Sequence, residues 1–419
     1  MRTKMAMATA ILASAALALT ACSGGGGGGD GDATGTINFY TNKAAWEPSF
    51  DDMNAASEDE GFTLNFAGYS DQAAYDAFIK QAFRTNDRPD LFTWQTGPSL
   101  AEIVDAGMVA PTTEIWDEAI ANGEVDEALA NDYTFDGEQY CVPLNHVYWV
   151  MYYNKDVYAE YDLEVPTTWD ELISNASTLV ENDVVPFHQM NIIFEFVWFQ
   201  AILLGLDPEA YDGLADGSTS YTDPSVVEAM ETWHQMQSDG YFVDPGVTTD
   251  PQTQLQNGDV AMMYFGTFLT GQLSDIDMVA NEDYGIFPMP NANPDLDERQ
   301  VVVETGPLCV GADSENEEAA LNYSAWWMGE EAQSTWSESR GDLSFNPDAT
   351  VGDPGLAEIT EEVSGEGNAI HTRYLEMTPT PIYSVAAEEF GAFVTNNDDP
   401  MAHLQAIQDA ADAYWAENS

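Results

Sequence analysis

The chain has 419 residues, of which 73 are acidic and only 10 are basic, so its formal net charge is -63 at pH 7. So few cations cannot form a basic patch, which excludes binding to nucleic acid or to an anionic membrane through charge. The acidic residues are spread along the chain, which indicates a folded acidic surface and a salt-tolerant or halophilic source.

Residues 1–21 have the pattern of a lipoprotein signal peptide. Arg2 and Lys4 supply the positive charge, and residues 5–19 form an apolar run that is too short to span a bilayer comfortably. The sequence Leu-Thr-Ala-Cys that ends at Cys22 matches the bacterial lipobox, which implies cleavage before Cys22 and lipid attachment to its sulfur. An ordinary secretory signal with an incidental cysteine is the alternative interpretation.

A Gly- and Asp-rich segment follows the signal peptide. Residues 22–35 contain six consecutive glycines and are predicted to form a flexible tether. No later segment is long and apolar enough to be a transmembrane helix. We therefore expect the mature chain at the extracellular face of the cell membrane, anchored through Cys22.

Strand-like and helix-like stretches alternate from residue 36 onwards. The predicted strands are residues 36–40, 63–67 and 90–94, and the predicted helices are residues 46–56, residues 73–84 and a segment behind Pro98. This order predicts an α/β sheet whose strand ends carry the binding groups. The length exceeds what one hydrophobic core usually supports, so two domains are expected.

The middle of the chain contains a strand and a capped helix. Residues 147–153 are almost all apolar or aromatic, which predicts a strand buried on both faces in a parallel or mixed sheet. Thr168 and Glu171 have the spacing of a capping box at the start of a helix.

Three later helix starts are also predicted. Pro224 and Pro400, each behind an Asp, mark two of them, and Ser314 with Glu317 is predicted to cap a helix over residues 319–327.

Several motifs recur in the order and spacing of one known family. They are Asp136-Gly137, a strand that ends near Pro143, Tyr153-Asn154-Lys155-Asp156, and the run from Pro166 to Leu172. This segment resembles bacterial extracellular solute-binding proteins of family 1, the maltose-binding-protein-like lipoproteins that deliver sugars to ABC importers. The resemblance extends over nearly the full mature chain through residues 89–94, 258–263, 266–268, 284–290 and 306–327. Phe268, where the family usually has Trp, and residues 301–304, where it usually has small residues, depart from the pattern.

The resemblance implies an α/β, two-lobed periplasmic-binding-protein-like fold with a ligand cleft at the hinge. The first lobe would comprise residues 36–145 and 308–346, and the second residues 146–307 and 347–419. It also implies a sugar or oligosaccharide ligand, a membrane permease as partner, a monomeric protein and no cofactor. A polyol or another non-sugar ligand stays open, although the shortage of cations weakens an anionic choice.

The candidate ligand contacts follow from position in the resembled fold. Flat aromatic side chains suit the apolar faces of sugars, and polar groups suit their hydroxyls. The candidates are Trp94 as the best platform, Gln95, Asn42 and Lys43 in the first lobe, Phe196, Trp198 and Phe268 in the second lobe, and Tyr148, Glu304 and Arg340 near the crossovers. Core packing is the alternative for Phe196 and Trp198, a solvated charge for Lys43, and a structural ion pair for Arg340.

Two cysteines remain beyond Cys22. The resemblance places Cys141 and Cys309 in neighbouring strands near the hinge, so they form either a disulfide or two buried free thiols.

A secreted glycosidase is the rival function, because so many acids always leave a possible carboxylate pair. No catalytic motif supports it, and the histidines lack metal-ligand spacing. We therefore expect a binding protein without a metal site. A surface adhesin fits the anchor but not the family pattern.

Overall fold

The protein is described by a computed structural model covering residues 34–85 and 87–418. The predicted signal peptide, Cys22 and most of the tether lie outside the described residues. Within the described part, no helix combines the length and apolar character needed to cross a membrane.

Helices and strands alternate along the described chain. The strands are β1 (Gly35–Thr41), β2 (Phe62–Gly68), β3 (Leu91–Thr93), β4 (Thr134–Phe135), β5 (Glu138–Gln139), β6 (Val142–Pro143), β7 (Val147–Asn154), β8 (Met262–Gly266), β9 (Tyr284–Phe287), β10 (Arg299–Glu304), β11 (Pro307–Val310) and β12 (Asn368–Thr372). The helices are α1 (Glu47–Ala56), α2 (Gln72–Ala82), α3 (Pro98–Asp105), α4 (Thr113–Asn122), α5 (Lys155–Glu160), α6 (Trp169–Glu181), α7 (Val197–Leu206), α8 (Pro208–Gly213), α9 (Pro224–Ser238), α10 (Pro251–Asn257), α11 (Leu269–Ser274), α12 (Glu317–Met328), α13 (Glu330–Arg340), α14 (Pro354–Ser364), α15 (Tyr374–Met377), α16 (Thr380–Asn396) and α17 (Pro400–Asn418). Two 3-10 helices, Ala44–Trp46 and Glu127–Tyr133, complete the set.

The first sheet has the strand order β2-β1-β3-β11-β6. Strand β1 is parallel to both β2 and β3, whereas β11 runs antiparallel to β3 and to β6. The buried carboxylate of Asp90 ties this sheet to α12, because it accepts hydrogen bonds from the amides of Asn38 and Asn316. The sheet therefore forms from two distant parts of the chain.

The second sheet has the order β12-β10-β7-β8, and β9 also pairs with β7. It is mixed, because β10 is parallel to β12 and antiparallel to β7. Successive side chains of a strand point to opposite faces. Trp149 and Met151 accordingly enter one core, and Tyr148 and Val150 enter the other. This confirms the predicted strand buried on both faces.

Two short segments connect the sheets and lie side by side. Residues 144–146 lead from β6 to β7, and residues 305–306 lead from β10 to β11. The Leu144 amide donates to the Gly306 carbonyl at 2.7 Å, and the Gly306 amide donates to Asn145 Oδ1 at 2.8 Å. A side chain at Gly306 would collide with that Oδ1, because its Cβ would lie 2.9 Å away. Nearby, Cys141 and Cys309 are joined by a disulfide.

Most predicted helix starts are confirmed, and one cap is wrong. The capping box of Thr168 and Glu171 is present at the start of α6. The box predicted for Ser314 and Glu317 is absent, since α12 begins at Glu317 behind Asn316. The Glu317 carboxylate accepts from the Asp313 amide instead of the Ser314 amide, and the distant Asp90 holds Asn316 at the helix start through the amide and the side chain of Asn316.

Candidate ligand-binding site

The strand before the second connection ends in a charged cluster. Glu304 is the last residue of β10, and Arg373 follows β12, where its amide donates to the carbonyl of Val303. Arg373 and Glu376, which lies one helical turn further on, are 5% and 6% exposed. We call Trp149, Glu304, Arg373 and Glu376 the Arg373 cluster.

The Arg373 guanidinium donates a hydrogen bond from each of its three nitrogen atoms. Its Nε donates to Glu376 Oε2 at 2.7 Å, and a second bond runs from Nη2 to Glu376 Oε1. Its Nη1 donates to Glu304 Oε2 at 2.5 Å, and the same oxygen accepts from Trp149 Nε1 at 3.2 Å. Burial lowers the pKa of Arg373, but the two carboxylates outweigh it and leave the pKa raised. The cluster is a buried ion pair with good geometry, in which every charge depends on its partner.

A second group of cationic and aromatic side chains lies at the end of β1 and of α13. Arg340 lies over the ring of Trp46, with its central carbon 4.2 Å from the ring centroid, and Lys43 Nζ is 5.3 Å from that centroid. Trp336 meets the Trp46 ring edge-on at 5.8 Å. Burial lowers the pKa of Lys43, and its charge interacts with those of Glu304 and the rest of the Arg373 cluster. The two groups are therefore within electrostatic range.

Asp342 connects α13 to the second sheet. Its Oδ1 accepts from the Thr267 hydroxyl and from the Leu343 amide, both at 2.8 Å. Burial raises its pKa to about 7, partly opposed by these hydrogen bonds and by the charge of Arg340. Thr267 directly precedes Phe268, so Asp342 links the Arg340 side of the site to the aromatic side.

Aromatic rings cover the second-sheet side. Phe268 is part-exposed and packs against Trp149, Phe194 and Phe265, with ring centroids 5.5 to 6.2 Å apart. Arg373 in turn lies 5.6 Å from the Trp149 centroid. Ring contacts and electrostatic interactions thus connect Trp46 to Arg340 and Asp342, and Asp342 lies beside the segment that carries Phe268. From Phe268 the contacts continue through Trp149 to Glu304, whose charge interacts with that of Lys43. We call this arrangement, together with Arg373 and Glu376, the crossover ring.

Four of the residues proposed from sequence contribute to the crossover ring. They are Lys43, Phe268, Glu304 and Arg340. For Arg340 the alternative was a structural ion pair, yet within the described residues no carboxylate oxygen lies within 4.0 Å of its guanidinium. Arg340 is held by the face of Trp46 instead.

Other predicted contacts are placed elsewhere. Phe196 and Trp198 are 0% and 1% exposed, and Trp198 Nε1 donates to the His188 carbonyl. Protein encloses both rings and leaves no open face, which corrects their proposed role as platforms in favour of core packing. Tyr148 points into the core on the far face of β7 from Trp149, and Trp94 is 8% exposed with its Nε1 bound to the Ser99 carbonyl.

Asn42 and Gln95 lie close to this region in the first-sheet half. The Asn42 side chain bonds Gln72 at 2.6 Å and Thr93 at 3.0 Å, so its polar atoms already have protein partners. Gln95 is part-exposed.

Sequence reasoning missed Trp46, Asp342, Arg373 and Glu376. Only eight of the 10 basic residues follow the signal peptide, and Lys43 and Arg373 are both among them. Trp46 lies only three residues beyond Lys43. The charge count was therefore the signal that could have identified both.

The remaining polar features do not form a comparable site. Among residues 34–85 and 87–418, no cluster of three or more His, Cys, Asp or Glu side chains is arranged to hold a metal ion. Two surface grooves of about 480 and 580 Å³ share Ala292, Asn293, Pro294 and Leu296. Carboxylates such as Asp170 and Glu228 line them, and Trp169 is their one aromatic ring.

Comparison with known proteins assigns the chain to a family. The model for bacterial extracellular solute-binding proteins matches residues 50–360. The chain belongs to the bacterial extracellular solute-binding protein family. Members of this family are solute receptors of ABC transporters and not enzymes. A Brucella abortus protein that carries the name of a binding protein is 25% identical to this solute-binding protein over 325 residues, covering 74% of this chain and 75% of its own.

Solved structures confirm the two-lobed α/β fold of this solute-binding protein. One is the solute receptor AcbH, described as having an exclusive preference for β-D-galactopyranose, and another is a chitin oligosaccharide binding protein. Each aligns with a TM-score of 0.77 and 19% identity over 91% of this chain, covering 100% and 99% of its own chain respectively.

Replacing Arg373 tests whether the cluster depends on its cation. We expect Arg373→Met to reduce the free energy of unfolding by about 3–5 kcal/mol at pH 8, because two buried carboxylates lose their partner. Burial already raises the pKa of Glu376, and without the cation this carboxyl takes up a proton more readily when folded than when unfolded. Stability should therefore fall as the pH rises from 5 to 8.

Denaturant unfolding at both pH values measures this effect. Arg299→Met is the matched control, since it removes a part-exposed ion pair with Glu362 and should cost no more than about 1 kcal/mol. Equal losses in the two variants, or a loss in Arg373→Met that does not depend on pH, would contradict the cluster's role.

Proposed function

We propose that this solute-binding protein captures a sugar or oligosaccharide between two lobes and delivers it to the permease of an ABC importer. The supporting observation is the crossover ring, which combines side chains from both sheets next to the two connecting segments. The proposed lobes are residues 36–145 with 308–346 and residues 146–307 with 347–419. Closure of the lobes about the connections would bring the two sides of the ring onto one ligand.

The chemistry of the crossover ring suits a sugar. Phe268 offers a part-exposed aromatic ring to the apolar face of a pyranose, and Trp46 offers a second one. Lys43 and Arg340 donate hydrogen bonds, whereas Glu304 accepts them through Oε1, the oxygen that Arg373 does not bind. Donors, acceptors and flat apolar surfaces are what recognition of a hydroxyl-rich ring requires. The sugar preferences stated for the two structural neighbours agree with this choice.

The Arg373 cluster has a supporting role in this proposal. Its hydrogen bonds fix the carboxylate of Glu304 and the indole of Trp149 in one orientation. A ligand group that meets Glu304 therefore finds an acceptor whose position is already set, which lowers the entropy cost of binding.

The location and partners complete the proposal. Cys22 carries a diacylglyceryl anchor, residues 22–35 serve as the tether, and the monomeric receptor works outside the cell. It docks on membrane-embedded permease subunits. The net charge of -63 requires either high salt or an unusually basic permease surface for that docking.

A sugar-binding screen tests the function. We expect isothermal titration of the mature chain against mono- and oligosaccharides, in low and in molar salt, to find one class that binds. Trp46→Ala should weaken that binding by about ten- to a hundredfold, because it removes a part-exposed ring and the surface that orients Lys43 and Arg340.

Trp169→Ala is the matched control, since this part-exposed ring lines a surface groove instead. It should leave the affinity unchanged. A folded protein that binds no sugar or polyol in either salt condition would refute the proposal. Loss of binding only in the Trp169 variant would move the site to the groove.

Lipid attachment is tested separately in cells. We expect mass spectrometry of the membrane fraction to find a diacylglyceryl group on the peptide that begins at Cys22. Cys22→Ser should release the protein into the medium. Membrane retention of Cys22→Ser, with an unmodified sulfur in the natural protein, would exclude the anchor.

A further inference from the structure

The few cations of this protein are unevenly distributed. Only eight of the 10 basic residues lie beyond the signal peptide, whereas the chain has 73 acidic residues. Three of the eight, Lys43, Arg340 and Arg373, belong to the crossover ring. The site proposed to bind a sugar is therefore the place where positive charge is concentrated.

Two of these three cations have no carboxylate partner. Arg373 binds Glu304 and Glu376, but in the described part of the chain no carboxylate oxygen lies within 4.0 Å of Lys43 Nζ or of the Arg340 guanidinium. In the described residues, four of the eight cations have a carboxylate partner, namely Lys80, Arg88, Arg299 and Arg373. Lys43 and Arg340 instead lie against the ring of Trp46, which fixes them without neutralising them.

The carboxyl groups around them are already engaged. Glu304 and Glu376 share the Arg373 guanidinium, and Asp342 accepts two hydrogen bonds through Oδ1. Among the acids, Asp342 has the largest electrostatic effect on the pKa of Arg340, followed by Asp275. Burial raises the pKa of Asp342 to about 7, so its carboxyl is largely protonated in mildly acidic solution.

The charges of the ring can then be counted. Below pH 7, three cations face two carboxylates, which leaves an excess of one positive charge. Ionisation of Asp342 above pH 7 removes that excess.

We propose that the sugar bound at this site carries a carboxylate, as uronic acids do, and that Arg340 and Lys43 bind it. The inference rests on the proposed sugar-binding function and specifies the substrate class. A guanidinium presents parallel N–H groups that match both oxygens of a carboxylate, and the lysine ammonium adds a second charge-assisted bond. The shortage of cations in the whole chain weakens the case for an anionic ligand. Their placement reverses that argument.

The acidic chain also sets a condition for such a ligand. A net charge of -63 repels an approaching anion over distances beyond the Debye length in dilute buffer. Molar salt shortens that length to about 3 Å, so long-range repulsion disappears while short contacts at Arg340 persist. Binding of an acidic sugar should therefore strengthen as salt rises from low to molar concentration, whereas binding of a neutral sugar should change little.

Matched sugars that differ only at carbon 6 test the inference. We expect titration in molar salt at pH 6 to show galacturonate or glucuronate, or their oligomers, binding at least about tenfold tighter than galactose or glucose. Arg340→Met and Lys43→Met should each abolish the preference for the acid, weakening binding of the acidic sugar by at least about tenfold more than binding of the neutral one. Galactose 6-sulfate distinguishes a carboxylate from a sulfate, because tighter binding of the sulfate would overturn the uronic acid assignment.

The pH dependence provides an independent test. The preference for the acid should fall between pH 6 and pH 8, because ionised Asp342 competes for Arg340. Asp342→Asn should remove this fall. That variant leaves the neighbouring groups Asp275, Glu304, Glu376 and Lys43 unchanged. Any pH dependence that it retains is therefore not due to Asp342.

Three outcomes would overturn the inference. Equal or tighter binding of the neutral sugar would refute the acidic substrate while leaving the sugar-binding function in place. Equal weakening of both sugars by Arg340→Met and Lys43→Met would show that the cations bind hydroxyls only. Absence of binding by every sugar, acidic or neutral, would refute the proposed function and this inference with it.

Discussion

The pairing of Arg373 with Glu304 and Glu376 is the interaction on which the rest of the site depends. It takes three charges out of water at the end of β10, where the chain turns back toward the first sheet. Removing one partner from such a group leaves an uncompensated buried charge, which is strongly destabilising. The requirement for every partner fixes β12, β10 and α15 relative to one another. It also fixes the orientation of Glu304, the residue of the cluster that faces Lys43.

The local part of this structure could be predicted from sequence, because its causes are local. The capping box of Thr168 and Glu171 joins residues three apart, and the strand Val147–Asn154 shows its burial in its own composition. The cap predicted at Ser314 is wrong, because the helix begins behind Asn316, which Asp90 holds from more than two hundred residues away. Long-range partners of this kind leave no trace in a short window.

The candidate site was predictable only in part for the same reason. Position in the resembled fold identified Lys43, Phe268, Glu304 and Arg340. Position in the fold also suggested Trp198 as a ligand contact. However, α7 is apolar on all sides, and a helix of that composition is expected to be buried in the core. Arg373 binds a glutamate 69 residues earlier in the chain, and no motif announces that contact.

The net charge and the charges of the site have different consequences. Net charge governs solubility, salt dependence and long-range steering, whereas recognition depends on a few fixed groups at short distance. Near Trp46 the local charge is positive although the net charge of the chain is negative. Lys43 and Arg340 lie there without carboxylate partners in the described residues. A receptor with such a distribution repels anions at a distance in dilute buffer and can still hold one on contact.

A crystal structure of the mature protein with the sugar that binds most tightly in titration would test directly whether the ligand binds at the crossover ring. We predict that the sugar lies between the two sheets, within hydrogen-bonding distance of Glu304 and Arg340 and in contact with Trp46. A sugar found instead in the groove beside Trp169 and Asn293, with the crossover ring uncontacted, would contradict it.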